Sequence, residues 1–316
     1  MESINPTNQT SKSHLRTIAP VFVVLAAVFW GILVVFVRAF GQAEFKSMEI
    51  VTLRVYSSAI FSWIFLIIFD RKSNRDKNSS KTYFRLRDSW CFVGTGLVSI
   101  VFFSYCYFRN VEVSSAAVAA ILMYTSPIFV TLLSAVFFKE KLTKLKLTAL
   151  LLAIIGCAMV SGIAGGISDV SPIGILLGLG SGIGYALYSI FGRFALNKGY
   201  SPFMVTAMTF TFACVGVLPF INIMGLYERL VTEPQYILLA LLMGLIGSCT
   251  PFALYTLGLR YMEASKAAIL ATLEPIVTAL VGTFFYKEPI DIYVIAGIVM
   301  VLVAGILCSA SPGKQK

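Results

Sequence analysis

Long hydrophobic runs separated by short polar segments fill almost the whole chain. A helix needs roughly 20 apolar residues to cross the hydrocarbon core of a bilayer. The pattern predicts ten such helices, at residues 18–37, 48–69, 90–108, 113–138, 145–163, 172–194, 201–224, 234–259, 264–286 and 290–309. We therefore predict an all-α polytopic membrane protein with about ten transmembrane helices.

The composition supports a membrane protein over a soluble one. Hydrophobic residues make up 58% of the chain and charged residues 13%, whereas soluble domains carry about 25% charged residues. The net charge of +10 does not indicate a nucleic-acid partner, because the Lys and Arg residues cluster in alternate loops, as membrane topology requires. Membrane lipid is the predicted surrounding, and no nucleic acid is expected.

The distribution of basic residues also predicts the orientation. With a cytoplasmic N-terminus, 19 of the 25 Lys and Arg residues fall on the cytoplasmic side and six on the other. Short cytoplasmic loops are enriched in positive charge. We therefore predict a multi-pass protein of the bacterial inner membrane with both termini in the cytoplasm.

The chain contains an internal repeat. Residues 116–140 align without a gap with residues 264–288, and 11 of these 25 positions are identical. The identities include Pro127 with Pro275 and the Lys-Glu pair that ends each segment. Further upstream a shorter loop changes the offset, so that Trp30-Gly31 aligns with Tyr185-Ala186.

Each half of the repeat holds five predicted helices, so the second half crosses the membrane in the opposite sense. Inverted repeats of this kind recur in secondary transporters, which bind substrate near the bilayer midplane at the repeat interface. The predicted organisation is a cytoplasmic N-terminal tail, a first five-helix repeat, a second five-helix repeat and a cytoplasmic C-terminal tail, at residues 1–17, 18–165, 170–310 and 311–316.

Several motifs stand out along the chain: Trp30-Gly31, Arg54, Thr125-Ser126-Pro127, Phe138-Lys139-Glu140, Leu273-Glu274-Pro275 and Tyr286-Lys287-Glu288. Over roughly residues 20–310 they resemble those of the EamA-type branch of the drug/metabolite transporter superfamily. The resemblance implies ten helices, cytoplasmic termini, a central cavity and export of amino acids or other metabolites. The second half departs from the first where Tyr185 replaces Trp30 and Glu274 replaces Ser126.

Glu274 is the first candidate for chemistry. It lies about ten residues, or roughly 15 Å of helix, into the ninth hydrophobic run. An ionisable group at that depth is costly and usually faces a cavity or a partner. Two interpretations remain open: a carboxylate that binds a proton or a substrate amine, and a carboxyl group that satisfies backbone groups freed by Pro275. Pro127 and Pro275 are each expected to kink a helix.

Aromatic and hydroxyl side chains within the runs are candidates for contact with an amphipathic solute, since they offer apolar faces and directed hydrogen bonds. Helix packing is the alternative for each. The predicted substrate-binding set is Glu274, Trp30, Tyr105, Tyr124, Tyr185, Tyr188, Ser126 and Thr272.

Three further charged residues receive structural interpretations. Arg54 is expected to extend along its helix to the outer membrane interface, with a substrate carboxylate or Glu49 as the alternative partner. Glu140 and Glu288 end their spans at opposite faces. They are interpreted as boundary residues, with gate contacts as the alternative.

Neither a cofactor nor a metal site is expected. The six cysteines form no CxxC pair, the only histidine lies in the N-terminal tail, and the chain has no phosphate-binding Walker loop. We also find no sequence motif of an intramembrane enzyme.

The sequence thus predicts a secondary transporter of small organic metabolites, above all amino acids, that works by alternating access as an exporter. Proton coupling and transport down the solute's own gradient both remain open, as does the oligomeric state. The alternatives are uptake of an organic solute and, in another class, an intramembrane enzyme or a receptor.

Overall fold

The computed structural model describes residues 6–73, 84–162 and 171–310, and within them the regular elements are helices. Ten helices are long: α1 (Pro6–Gln42), α2 (Ser47–Ser73), α3 (Leu86–Val113), α4 (Ala116–Phe138), α5 (Lys144–Val160), α6 (Pro172–Asn197), α7 (Pro202–Phe220), α8 (Gln235–Tyr261), α9 (Ala264–Tyr286) and α10 (Ile292–Ala310). A short surface helix, Ile223–Thr232, joins α7 to α8. The predicted C-terminal tail 311–316 lies outside the described residues.

Nine of the ten helices are long and apolar enough to cross a membrane. The remaining one, α5, has 17 residues, which is at the short end of the spanning range. The prediction of an all-α polytopic membrane protein is therefore confirmed. Helix α1 begins at Pro6, so the part of the predicted tail 1–17 that the structure describes continues the first helix.

Helices α4 and α9 are each interrupted halfway. In α4 the first half-helix ends at Met123 and the second begins at Ser126. In α9 the corresponding half-helices end at Ala271 and begin again at Glu274. At each expected kink the helix is thus interrupted for two residues, and each proline lies in the first turn of the new half-helix, where its missing amide is not needed.

The two halves share these local geometries at an offset of 148 residues. Helices α3 and α8 each contain a π-helical segment, and these segments end at Val101 and Cys249. Helices α4 and α9 both end on a lysine in the left-handed conformation, with φ of 54° at Lys139 and 57° at Lys287. The internal repeat is therefore present in the backbone as well as in the sequence.

The repeats interleave in space. Helix α1 packs against α8 and α9 of the second half, while its counterpart α6 packs against α3 and α4 of the first. Helices α2 and α7 pair with each other, as do α5 and α10. This reciprocal pattern is that of inverted repeats related by a two-fold axis. We call the face at which α1 begins the N face, and the other the opposite face.

Candidate functional site

A cavity of about 650 Å³ lies between the two repeats. Its walls come from the halves of the helices that lie toward the opposite face, together with the turn that follows α5 and the segment that joins α9 to α10. Arg38 and Glu288, at 2.7 Å from each other, stand at its mouth. The cavity therefore opens at the opposite face and ends near the breaks in α4 and α9.

Two opposite charges lie at the base of the cavity. Glu274 occupies the first turn of the second half of α9 and accepts a hydrogen bond of 3.2 Å from the Tyr185 hydroxyl. Arg54 projects from α2, interacts electrostatically with Glu274 and donates a long hydrogen bond of 3.4 Å to Ser104. Its Nε atom has no acceptor among the residues that the structure describes. The base can thus recognise a positive and a negative group together.

The break in α9 helps to place a negative charge at this depth. The positive end of a half-helix dipole lies at its first residue, which here is Glu274. Helix α1 approaches closely at the same level: a Cβ atom on Gly31 would lie 2.5 Å from Val277 and 2.9 Å from the Glu274 carbonyl. Only glycine at position 31 permits this packing.

Aromatic rings surround the two charges. The Trp30 ring lies 6.2 Å from that of Tyr185 and 5.1 Å from that of Phe252, both nearly edge-to-face. The Phe103 ring lies 5.3 Å from that of Tyr185. These rings line the cavity together with Tyr107 and Tyr124. The site is therefore amphipathic, with apolar walls and charged groups confined to its base.

A packed layer closes the cavity toward the N face. The Tyr188 hydroxyl is 2.7 Å from the Thr256 hydroxyl, and Ser189 is 2.7 Å from the Tyr255 hydroxyl. All four residues are buried. These hydrogen bonds join α6 to α8 on the N-face side of the aromatic rings that surround the base of the cavity.

A buried ionic cluster lies nearer the N face. The Glu140 carboxylate accepts hydrogen bonds from the amides of Ala264, at 2.8 Å, and Ser265, at 3.2 Å, and so caps the first half of α9. Lys146 is 1% exposed, and its Nζ atom lies 3.0 Å from Glu263 and 3.7 Å from Glu140. This cluster holds the end of α4 against the start of α9.

Arg193 on α6 adds two hydrogen bonds to the same closure. Its guanidinium donates to the carbonyl groups of Leu259 and Met262 at the end of α8, the latter at 2.7 Å. The four elements α4, α6, α8 and α9 are thus fastened together at the N face. At the opposite face Arg38 pairs with Glu288 and Arg229 donates to the carbonyl groups of Ala43 and Glu44, but within the described residues Glu288 is not bonded to the start of α4 and the cavity is open.

The structure brings together half of the predicted substrate-binding set. Glu274, Trp30, Tyr124 and Tyr185 line the cavity, as does Pro275. Four other residues of the set, together with Pro127, are not part of its wall: Tyr105, Tyr188, Ser126, Thr272 and Pro127.

Contacts elsewhere in the structure explain why these four side chains lie outside the cavity wall. Tyr105 is 37% exposed and packs on Phe220 at the lipid-facing surface. Tyr188 lies one turn below Tyr185, in the packed layer that closes the cavity. Ser126 is buried at the start of its half-helix, and the Thr272 hydroxyl donates to the carbonyl of the residue three positions earlier. Their assignment to the cavity is therefore corrected.

Arg54 lines the cavity although the sequence interpretation left it out of the substrate-binding set and kept a substrate carboxylate only as its alternative partner. The expectation that it extends to the membrane interface is wrong, since the structure turns it into the cavity. Tyr107 and Phe103 were missed. An arginine inside a hydrophobic run was the available signal, because charged groups within spans usually face a cavity. For the two rings, sequence gave no indication of which helical face they occupy.

The six cysteines are free thiols, and no cluster of three or more potential metal ligands occurs in the part of the chain that the structure describes.

Inverted five-helix repeats around a cavity recur in membrane transporters. A family comparison agrees. The EamA-like transporter family matches residues 17–162 and 172–310, once for each repeat. The chain belongs to this family and is a multi-pass membrane transporter.

Individual relatives carry the same general description. An uncharacterized transporter of Helicobacter pylori is 29% identical over 290 residues, which cover 90% of this chain and 92% of the relative. An uncharacterized transporter of Archaeoglobus fulgidus is 29% identical over 203 residues, or 64% of this chain and 69% of the relative. A solved crystal structure with 13% sequence identity shares the fold, with a TM-score of 0.72 over 92% of this chain and 96% of the other.

Proposed function

We propose that the protein is a secondary transporter that exports amino acids or similar small metabolites by alternating access. The observation that carries this proposal is the cavity itself, which holds one cation and one anion at its base, is lined by aromatic rings and opens at one face. Its volume of about 650 Å³ lies within the usual range for small-molecule sites, roughly 300–1,000 Å³.

The paired charges favour a zwitterionic solute. An arginine side chain presents a planar set of donors that suits a carboxylate, and Arg54 lines the cavity with its Nε atom unpaired among the described residues. Glu274 can accept from an ammonium group. An amino acid carries both groups on one carbon, so its two charges can meet both residues at once. The aromatic walls then contact its side chain.

The orientation follows from the basic residues. We place the N face in the cytoplasm of a bacterial cell, because 19 of the 25 Lys and Arg residues then lie on the cytoplasmic side of the inner membrane. Both termini are then cytoplasmic, and the structure corresponds to an outward-open state.

Glu274 offers a mechanism for coupling. A single carboxylate at the base of a cavity can bind a solute ammonium group or a proton, but it cannot bind both. Exchange of one for the other across the two open states would drive export with protons that enter from outside. Without such competition, the solute moves down its own gradient.

Reconstitution into liposomes tests the proposal. Labelled amino acids are screened for movement in both directions, with and without an imposed pH gradient. Efflux that accelerates when the solution outside the liposomes is acidic supports proton-coupled export. Accumulation of the amino acid inside the liposomes under the same pH gradient indicates uptake instead. If no solute moves under any gradient, the transport proposal is abandoned.

A further inference from the structure

The closure at the N face has an unformed counterpart at the mouth of the cavity. At the 148-residue offset, Glu140 corresponds to Glu288, and the amides of Ala264 and Ser265 correspond to those of Ala116 and Ala117. Glu140 binds its two amides. Glu288 instead pairs with Arg38 at 2.7 Å, while Ala116 and Ala117 form part of the open cavity wall.

The geometry that presents the acid is the same in both halves. The amide of Glu140 donates to the carbonyl of Ser134 at 3.3 Å, and that of Glu288 donates to Gly282 at 3.2 Å, which is the equivalent residue. Both follow a lysine in the left-handed conformation. The turn that carries Glu288 is therefore already built.

The arginines correspond as well. With Trp30 aligned to Tyr185, Arg38 falls on Arg193, and a phenylalanine precedes each by two positions. Arg193 donates to the carbonyl groups of Leu259 and Met262. The equivalent carbonyl groups at the end of α3 belong to Val111 and Ser114.

We propose that Glu288 and Arg38 form the outer gate of this transporter. In the inward-open state Glu288 caps the first half of α4 at the amides of Ala116 and Ala117, and Arg38 donates to the carbonyl groups of Val111 and Ser114. The proposal rests on the alternating access of the proposed function. A carboxylate at a helix N-terminus is favourable by itself, and the other repeat shows the same arrangement formed.

The two closures are not equally strong. Lys146, which lies between two acids at the N face, corresponds to Val294, and Glu263 corresponds to Ser115. Ser115 caps its own helix through the amide of Val118. The outer gate therefore depends on Glu288 and Arg38 without a buried lysine, which agrees with the outward-open structure.

A cysteine at position 294 reports the state of the gate. Val294 lines the open cavity, whereas its counterpart Lys146 is 1% exposed in the formed closure. In a background without native cysteines, Val294→Cys is exposed to a charged methanethiosulfonate reagent in purified protein, and the labelling rate is measured. Fast labelling indicates an open outer gate.

Matched variants then test the proposal. Glu140→Gln weakens the N-face closure and should slow labelling, and adding Glu288→Gln should accelerate it again by roughly threefold or more, as expected for loss of a capping interaction. Glu112→Gln is the control, because Glu112 forms an exposed ion pair with Arg109 and is 49% exposed against 48% for Glu288. The control should leave labelling unchanged.

Two outcomes overturn the proposal. If Glu288→Gln leaves the labelling rate unchanged with and without Glu140→Gln, the acid is not part of a gate. If it slows labelling, the pair of Glu288 with Arg38 stabilises the open state instead. Labelling needs no solute, so a failure of the transport screen with the expected labelling pattern would defeat the proposed function and leave the gate intact.

Discussion

Replacement of Arg54 by glutamine tests how the cavity recognises its solute. The guanidinium carries five N–H donors, and the structure uses one of them in a long bond of 3.4 Å to Ser104. A solute carboxylate can therefore accept two donors side by side, as arginine–carboxylate pairs commonly do. Arg54→Gln removes the charge and this paired geometry together.

The expected cost follows from the hydrogen bonds lost. Hydrogen bonds to charged groups contribute roughly 1.5–3 kcal/mol each. We take the lower value for each of two bonds, which gives about 3 kcal/mol and raises the apparent KM roughly 150-fold. Glu274 loses a compensating charge in the variant, but it keeps its hydrogen bond from Tyr185. We therefore expect the protein to remain folded.

The assay compares an amino acid with the amine that lacks its carboxylate. Counterflow in liposomes should show the large rise in KM for the amino acid only, because the amine never contacts Arg54. Arg109→Gln serves as the control: Arg109 pairs with Glu112 at the surface and is 50% exposed, so a change within about twofold is expected. Equal losses for the amino acid and its amine would refute the recognition of the carboxylate by Arg54.

Three other substitutions separate binding from packing. Glu274→Gln should reduce transport while membrane expression stays normal, as measured by flux and immunoblot, and full activity would remove the residue from the mechanism. Tyr185→Phe should raise KM because it removes the hydroxyl that bonds Glu274. Tyr188→Phe, in the packed layer that closes the cavity, should lower the free energy of unfolding by about 1 kcal/mol and leave KM unchanged. A melting curve in detergent and a KM measurement compare the two variants. Gly31→Val adds side-chain atoms where a Cβ atom alone would lie 2.5 Å from Val277. The free energy of unfolding should therefore fall by about 1–3 kcal/mol. An unchanged melting temperature would contradict the close approach of α1 to α9.

The sequence was sufficient to predict the number of helices and the repeat, because both depend on hydrophobic length and on identities in register. It could not specify which side of a helix faces the cavity. Tyr105 and Tyr107 are two positions apart, about 200° around an α-helix, so they point in nearly opposite directions. Tyr105 contacts Phe220 at the surface, and Tyr107 lines the cavity.

Local backbone irregularities explain the other differences. The hydrophobic runs of α4 and α9 are continuous in sequence, so a proline within them indicated a bend. The structure interrupts both helices, and there the hydroxyl groups of Thr125 and Thr272 donate to the carbonyl groups three positions earlier. A π-helical segment at Gly94–Val101 also shifts the angular positions of the residues after it.

The interleaved packing of the repeats has a consequence for biosynthesis. Helix α1 contacts α8 and α9, which leave the ribosome after most of the chain has been made. The early helices must therefore wait in the bilayer without their final neighbours, and Arg54 remains without the opposite charge of Glu274 until the ninth helix inserts. Separately produced halves should consequently be unstable alone and regain assembly only when made in the same cell.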